Sequence, residues 1–266
     1  MIQSTSSFGE LLRHWRRVRR FSQLELALQA DISSKHVSFL ETGRNRPSRD
    51  MILRLTHAMD LPLRDRNVLL NAAGFTAAYA ESELGSPLIE QAGEALARIL
   101  DKQEPYPAIV LDAHWNLVKQ NRGAASFGSL FLPEAPQSGF NALEILFSSD
   151  GLQPFVVNWE ELSSTLLMRV FREAQLPGRD VRAGRLFARL EAMPATPANW
   201  REIAGHYPDG PTVDLVLEKD GRRYAFFTTI TTFGTPQDVT LQELRIESYF
   251  PADAATRALC ESWRSE

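Results

Sequence analysis

The chain of 266 residues is 44% hydrophobic and 23% charged, with a formal net charge of −4 at pH 7, which is ordinary for a soluble globular protein of one or two domains. It has no run of about 18 apolar residues and no apolar stretch after its first charges, so we expect neither a membrane span nor a secretion signal, and a cytoplasmic location. The single cysteine, Cys260, excludes an internal disulfide and a metal site built from clustered cysteines.

The charge is divided unevenly along the chain. Residues 1–70 hold twelve Lys or Arg and seven Asp or Glu, a net charge of +5, which leaves −9 for the remainder. A basic segment joined to an acidic one indicates that only the N-terminal part meets a polyanion.

Short helical patterns separated by turn residues fill the first part of the chain. Residues 8–20 have one apolar face and one arginine-rich face, which predicts a helix. Ser22 and Glu25 form a capping box at the start of a second helix. Ser33 is the predicted N-cap of a third helix, which Gly43 ends.

Two more helices are predicted before the composition changes. Ser48 or Asp50 begins the fourth helix, and Pro62 opens a fifth that Gly74 closes. Between Thr76 and Pro87 the chain becomes small, polar and acidic, as in a connector. We therefore expect an all-α domain of about five helices over residues 1–80 and a second domain over residues 86–266.

The second domain mixes helical and strand patterns, which predicts an α+β chain with an antiparallel sheet. Residues 108–121 indicate two strands with a turn at Ala113–Trp115, and Asn121 is the predicted cap of the next helix. Asp220-Gly221 lies between two alternating runs and predicts a second hairpin. The remaining predicted helices are 88–102, 143–147, 158–173, 184–193 and 254–263, and the last predicted strand is 241–251.

The second and third helices fit a helix-turn-helix, in which two short helices are held at a fixed angle. Apolar side chains must hold the two helices together, and the exposed start of the later helix must be small or polar in order to enter the major groove. The candidates for the apolar contact are Leu24, Ala27, Leu28, Ile32, Val37 and Leu40. The candidates for the groove are Ser34, Lys35, Ser38 and His36.

The segment LRHWRRVRRFSQLELALQADISSKHVSFLETGRNRPSRDMILRLTHAMDL resembles the Xre/Cro helix-turn-helix domain of phage repressors and their bacterial relatives. The resemblance covers about 65 residues and includes Leu40-Glu41-x-Gly43-x-x-x-Pro47. It implies that Gln23 contacts a phosphate and braces the recognition helix. It also implies groove contacts from Ser34, Lys35, Ser38 and Phe39, and backbone contacts from Arg44, Asn45 and Arg46.

Other readings of this segment remain open. Some helix-turn-helix domains bind only protein, and some arginine-rich faces merely stay solvated. Phe39 departs from the polar residue that is commonest at its position, and an apolar contact to a thymine methyl is the alternative role. Glu41 is expected to be structural, tying down the loop or forming a salt bridge with Arg19. Because such regulators bind two half-sites of double-stranded DNA, we expect a homodimer.

The fragment PAIVLDAHWNLVKQNRGAASF resembles the first hairpin and helix of a PAS domain. Together with SSDGLQPFVVNWEE and TTFGTPQDVTLQELRIESYFPAD, it also resembles the body of MmyB-like transcription regulators, over most of residues 86–260. That family joins an Xre-type head to a PAS-like ligand-binding domain. The resemblance implies a cavity whose candidate ligand is a small apolar molecule such as a fatty acid.

Residues that face inward from a PAS-like sheet and its helices are the candidates for the cavity wall. They are Ile109, Leu111, Trp115, Phe127, Leu143, Phe147, Leu167, Phe171, Phe226, Thr228 and Ile230. Taken alone, each fits ordinary core packing better than ligand contact. Arg169 and Arg245 have the chemistry to pair with a ligand carboxylate, although a salt bridge to a nearby Glu explains either arginine better.

The sequence does not favour an enzyme or a cofactor protein. The five histidines show no metal-binding spacing, and no P-loop, GxGxxG or GxSxG frame is present. His114 lies in a predicted turn, which disfavours haem ligation. Two classes of function remain: a transcription regulator whose body senses a small apolar ligand, and a ligand-independent repressor whose body serves only dimerisation or partner binding.

Overall fold

The computed structural model describes residues 7–83, 85–132, 139–175, 181–206, 213–234 and 236–265. The chain forms two compact units. One comprises Met1–Ser82 together with Thr235–Gln242, and the other comprises Glu83–Gly234 together with Glu243–Glu266. None of the helices in these described ranges is both long and apolar enough to cross a membrane.

The first unit is built from short helices with local caps. Ser7, Ser22, Ser33 and Ser48 each accept a backbone N–H at the start of a helix, which satisfies an otherwise unpaired donor. The helices are α1 (Phe8–Val18), α2 (Gln23–Gln29), α3 (Ser34–Glu41), α4 (Arg49–Ala58) and α5 (Leu63–Ala72).

The contact between α2 and α3 differs from the sequence prediction. Leu24 and Leu28 are 59% and 72% exposed, so the prediction that they hold the two helices together is wrong. Ala27 is buried as predicted, and Leu26 and Ala30 are buried in place of Leu24 and Leu28. Since each helical residue turns by about 100°, Leu24 and Leu28 point about 200° away from Leu26. Ile32 is half-buried, whereas Val37 and Leu40 are buried as predicted.

A segment distant in sequence completes the first unit. It contains α12 (Val239–Glu243), which overlaps the first part of the predicted strand 241–251. The Asp238 carboxylate accepts a hydrogen bond from the Leu241 backbone N–H at 3.2 Å and so caps this short helix. That prediction is therefore wrong for Leu241–Glu243, and the strand begins at Arg245.

The second unit contains an antiparallel sheet with strand order β2-β1-β5-β4-β3. Its strands are β1 (Ala108–Leu111), β2 (Leu117–Gln120), β3 (Val213–Lys219), β4 (Arg222–Thr231) and β5 (Arg245–Pro251). The helices around it are α6 (Pro87–Gln103), α7 (Arg122–Phe131), α8 (Ala142–Phe147), α9 (Trp159–Ala174), α10 (Val181–Glu191), α11 (Trp200–His206) and α13 (Ala254–Ser262). Together with the helical first unit, this makes the chain α+β, as predicted.

Local turn chemistry sets the two hairpins. Asp220 and Gly221 have φ values of 51° and 72°, as the tight turn between β3 and β4 requires. Between β1 and β2 the Asp112 carboxylate accepts the backbone N–H groups of His114 at 2.7 Å and Asn116 at 2.9 Å. This turn allows Trp115, with φ of 67°, to bury its indole among the helices.

Asn121 connects the first hairpin to α7. Its side-chain oxygen accepts the backbone N–H groups of Ala108 at 2.9 Å and Ala124 at 2.8 Å, and its amide donates to the Tyr106 carbonyl at 2.9 Å. Because this side chain is buried, it holds the strand edge and the helix start in one fixed arrangement.

Candidate nucleic-acid interface and internal cavity

The N-terminal turn of α3 presents the polar side chains that the sequence assigns to a DNA groove. Ser34 and Lys35 are exposed, and His36, Ser38 and Phe39 are half-buried. The Ser33 hydroxyl accepts the His36 backbone N–H at 3.1 Å, which fixes the start of the helix. Ser34, Lys35 and His36 therefore lie at the start of α3, and Ser38 and Phe39 follow one turn further along the same helix.

Phe39 forms an aromatic base beneath two cations. The Lys35 ammonium lies 5.5 Å from the ring centroid, and the Arg44 guanidinium carbon lies 5.7 Å from it. Cation–π attraction at these distances keeps both positive groups beside the Phe39 ring. The ring thus has a structural role in addition to the apolar contact that its sequence position suggests.

The loop after α3 carries the remaining predicted contacts. Arg44, Asn45 and Arg46 are all exposed. Their side chains make no hydrogen bond or ion pair with any of the described residues, so their donors are available to an external partner. Gly43, with φ of 71°, reverses the chain into this loop.

Glu41 is a structural residue at the end of α3. Its buried carboxylate accepts hydrogen bonds from Arg16 at 2.5 and 3.0 Å and from the Gln23 amide at 2.8 Å, and Arg13 approaches to 3.5 Å. Burial alone would raise the pKa of Glu41, but the hydrogen bonds from Arg16 and Gln23 together with the charges of Arg16 and Arg13 outweigh it, so the pKa is lowered. Gln23 thus braces the recognition helix through Glu41.

The proposed pairing of Glu41 with Arg19 is wrong. Arg19 lies beyond the end of α1 and donates to the Asp60 carbonyl at 2.6 Å. Arg13 and Arg16 lie one turn apart on the helix face that packs against α3, and they take the place of Arg19.

The second unit contains a partly open cavity of about 160 Å³ whose wall is mostly apolar. Seven of the predicted wall residues line it: Ile109, Trp115, Phe127, Leu143, Arg169, Thr228 and Ile230. The helix α7 contributes Ala124, Ala125, Gly128 and the adjoining Leu132, which repeat at the spacing of one helix face. A Cβ atom built on Gly128 would meet no other atom within 4 Å, so this glycine leaves room at the wall.

The other five predicted wall residues lie in the core beside the cavity. They are Leu111, Phe147, Leu167, Phe171 and Phe226. Phe171 packs against Phe187, which lies in a predicted helix, and against Trp200, which begins a helix that the sequence did not predict. A shift of strand register between Val110 and Leu111 interrupts the inward alternation that predicted Leu111.

Glu247 and Tyr249, which the sequence analysis missed, form a polar end of the cavity with Arg169. The Tyr249 hydroxyl donates to the Glu247 carboxylate at 3.1 Å. Burial raises the pKa of both groups, and for Tyr249 the neighbouring carboxylate adds to this effect. Alternation along β5 is the only signal that could have placed these two residues on the same face.

The two candidate carboxylate-binding arginines are both paired with Glu173. Arg169 lies 3.5 Å and Arg245 2.9 Å from the same Glu173 oxygen. Both guanidinium groups stack on the Trp115 ring, at 4.9 and 4.8 Å from its centroid, and the indole N–H donates to Glu173 at 3.2 Å. Burial and the nearby Arg245 charge lower the pKa of Arg169.

Among the residues that the structure describes, no group of three His, Cys, Asp or Glu side chains is placed to hold a metal ion. His114 does not line the cavity. Burial raises the pKa of the Cys260 thiol to about 12, so this cysteine stays un-ionised at neutral pH.

Comparisons with known proteins agree with both units. Residues 92–262 match the model of the MmyB-like transcription regulator ligand binding domain, and residues 7–69 match a helix-turn-helix domain. Among curated proteins, none matches the chain. A solved structure of an RNA-binding light-oxygen-voltage receptor is 16% identical, with a TM-score of 0.25. That alignment covers 97% of this chain but only 61% of the receptor.

Proposed function

Because the chain belongs to the MmyB-like transcription regulators and combines a helix-turn-helix domain with a ligand-binding domain, we propose that it binds a specific DNA operator under the control of a small apolar ligand. The observation that supports ligand control is the cavity in the second unit, which is walled by apolar side chains and has one polar end. A fatty acid has this chemistry, since its chain suits the apolar wall and its head group suits the polar end.

The DNA part of the proposal rests on the exposed cations around α3. Lys35 and Arg44 lie over the Phe39 ring, and Arg46 projects from the following loop. Cations that are not neutralised by carboxylates bind phosphates and release counterions, whereas the serines at the start of α3 have the size and polarity to meet base edges. We assign positioning to the cations and base reading to Ser34 and Ser38.

Homodimerisation is part of the same proposal. A single short recognition helix reads few base pairs, and two copies related by a two-fold axis would read a palindromic operator with two half-sites. The alternative function, a ligand-independent repressor whose body serves dimerisation or partner binding, predicts that filling the cavity leaves DNA affinity unchanged.

Native mass spectrometry of the purified protein, followed by denaturing extraction, tests ligand binding. The matched variants are Gly128→Phe, which places an aromatic ring in the cavity, and Gly128→Ala, which leaves it open. An apolar cavity of about 150 Å³ is known to hold benzene, so a phenyl group suits one of about 160 Å³. We expect a small adduct on the wild type and Gly128→Ala and none on Gly128→Phe. An adduct that persists unchanged in Gly128→Phe would place the ligand elsewhere and refute the assignment of this cavity.

A further inference from the structure

The two strands that contribute the polar end and one side of the cavity are neighbours in the sheet but are not joined by a tight turn. Thr228 and Ile230 of β4 and Glu247 and Tyr249 of β5 line the cavity. Between Thr231 and Arg245 the chain leaves the ligand-binding unit, and residues 235–242 belong to the compact DNA-binding unit. We call residues 238–242 the β4–β5 strap.

One end of the strap caps a helix of the DNA-binding unit. Pro62 precedes α5 and offers no side chain to its first N–H groups. The Gln242 side-chain oxygen instead accepts the backbone N–H of Leu63 at 2.7 Å, across 179 positions of sequence. The first backbone N–H of α5 therefore donates to a residue of the strap, since Pro62 has no side-chain acceptor to offer it.

The other end of the strap is held by backbone and side-chain bonds to residues 80–82. Val239 N–H donates to the Ala80 carbonyl at 2.8 Å, and the Asp238 carboxylate accepts the Ser82 N–H at 3.1 Å. The Thr240 hydroxyl donates to the Ser82 carbonyl at 2.7 Å. Val239 and Asp238 are fully buried, so the segment is a packed part of this unit.

The strap is tied closely to the cavity through β5. Only Glu243 and Leu244 separate Gln242 from Arg245, where β5 begins, and Leu244 is buried. Two intervening residues leave little chain length to take up a shift of β5 before it reaches Gln242. On the DNA-binding side, α5 packs against α1, and α1 packs against α3.

We propose that the β4–β5 strap couples occupancy of the cavity to the DNA-binding unit, by changing the hold of Gln242 on the start of α5. This rests on the proposed ligand-sensing function and names its route. An occupant displaces β4 and β5 at Thr228 and Glu247, and the displacement alters the bonds of the strap to Leu63 and Ser82. Such coupling requires that the two states of the strap differ in DNA affinity.

Amide hydrogen exchange tests the first half of the route and needs neither ligand nor DNA. The full chain is compared as wild type, Gly128→Ala and Gly128→Phe, with Gly128→Leu as a second filled-cavity variant and circular dichroism to verify folding. Filling the cavity should change the exchange rates of the Leu63 and Val239 amides by at least about fivefold, the lower end of usual couplings. Rates that stay equal in all folded variants would overturn the proposal.

A mutant cycle on DNA affinity tests the second half. Thr240→Val with Gln242→Leu removes two bonds of the strap, whereas Gln242→Glu keeps an acceptor at the start of α5. On an operator selected from random DNA with the wild type, Gly128→Phe should shift affinity at least about fivefold. In a chain with Thr240→Val and Gln242→Leu, Gly128→Phe should shift DNA affinity less than about twofold. In a chain that carries Gln242→Glu instead of these two changes, Gly128→Phe should shift DNA affinity to the full extent again.

The outcomes separate this proposal from the proposed function. An equal shift with the strap intact and cut would refute the strap as the route and leave ligand sensing standing. A wild type that selects no operator would refute the DNA part of the proposed function, and the exchange experiment would still decide whether the cavity acts on the strap. If Gly128→Phe shifts DNA affinity neither with the strap intact nor with the strap cut, and mass spectrometry identifies a ligand, coupling is refuted while ligand binding stands.

Discussion

Glu41→Gln tests whether the buried ion pair at the end of α3 holds the DNA-binding unit together. The Glu41 side chain is 1% exposed and that of Arg16 12%, so removing the carboxylate charge leaves a largely buried guanidinium without its partner. Breaking a buried pair costs about 3 to 5 kcal/mol, and the partial exposure of Arg16 places this case near 3 kcal/mol. Arg13, with 41% exposure, adds little.

For a domain of this size a loss of about 3 kcal/mol lowers the melting temperature by about 12 to 24 °C. Calorimetry of the full chain measures this change, and hydrogen exchange of α3 amides assigns it to the DNA-binding unit. Arg17→Gln, at an exposed position of the same helix, is the matched control and should cost less than about 0.5 kcal/mol. A loss below about 1 kcal/mol for Glu41→Gln would refute the reasoning.

The lowered pKa of Glu41 adds a pH signature to this prediction. A carboxylate whose pKa is lower in the folded than in the unfolded state contributes stability above its usual pKa, and this contribution is lost as the pH falls through the folded value. The difference between wild type and Glu41→Gln should therefore shrink below about pH 5. A constant difference down to pH values at which Glu41 is protonated would show that the charge is not the cause.

Three further changes test the DNA-binding surface, the cavity and the link between the first hairpin and α7. Lys35→Ala with Arg46→Ala should weaken DNA binding and reduce the slope of log K against log salt concentration by about two, because each change removes a phosphate contact worth about 0.9 of that slope. The exposed control Arg185→Ala should leave the affinity and the slope unchanged. An unchanged slope in the double variant would contradict the assignment of these cations to phosphates. Because burial raises the pKa of Glu247, its ionisation costs stability as the pH rises above the usual pKa of a carboxyl group, so the melting temperature of Glu247→Gln should gain on that of the wild type as the pH rises above about 5. A pH-independent difference would rule this out. Asn121→Ala leaves the Ala108 N–H and the Tyr106 carbonyl without their buried partner, so it should lower the free energy of unfolding by about 3 kcal/mol, as measured by chemical denaturation. A loss of less than about 1 kcal/mol would show that other groups replace the Asn121 side chain.

The features that were predicted from sequence are those set by neighbouring residues. Ser22 with Glu25, Ser33 and Asn121 all cap helices at the expected positions, because a cap joins a side chain to a backbone group three residues away. The Asp220-Gly221 turn depends on φ values that only a few residue types adopt easily. Local rules of this kind operate before any tertiary contact is known.

The features that were missed depend on partners far apart in sequence. Leu24 and Leu28 form an apolar pair one turn apart, and only the placement of α1 and α3 shows that the Leu26 face is the buried one. Gln242 has no local signal, because its partner lies 179 residues earlier. Alternation along β5 puts Glu247 on the same face as Tyr249, but only the placement of distant elements shows that this face lines the cavity.

The polar end of the cavity limits what the proposed ligand can present there. Arg169 and Arg245 share the single carboxylate of Glu173, so this cluster keeps one unit of positive charge when Glu247 is protonated. Ionisation of Glu247 would cancel that charge, and burial opposes the ionisation by raising the pKa. An anionic head group therefore suits the state with Glu247 protonated, in which a carboxyl O–H becomes a hydrogen-bond donor beside Arg169. For the fatty acid of the proposed function, charge and hydrogen bonding then favour the same end of the cavity.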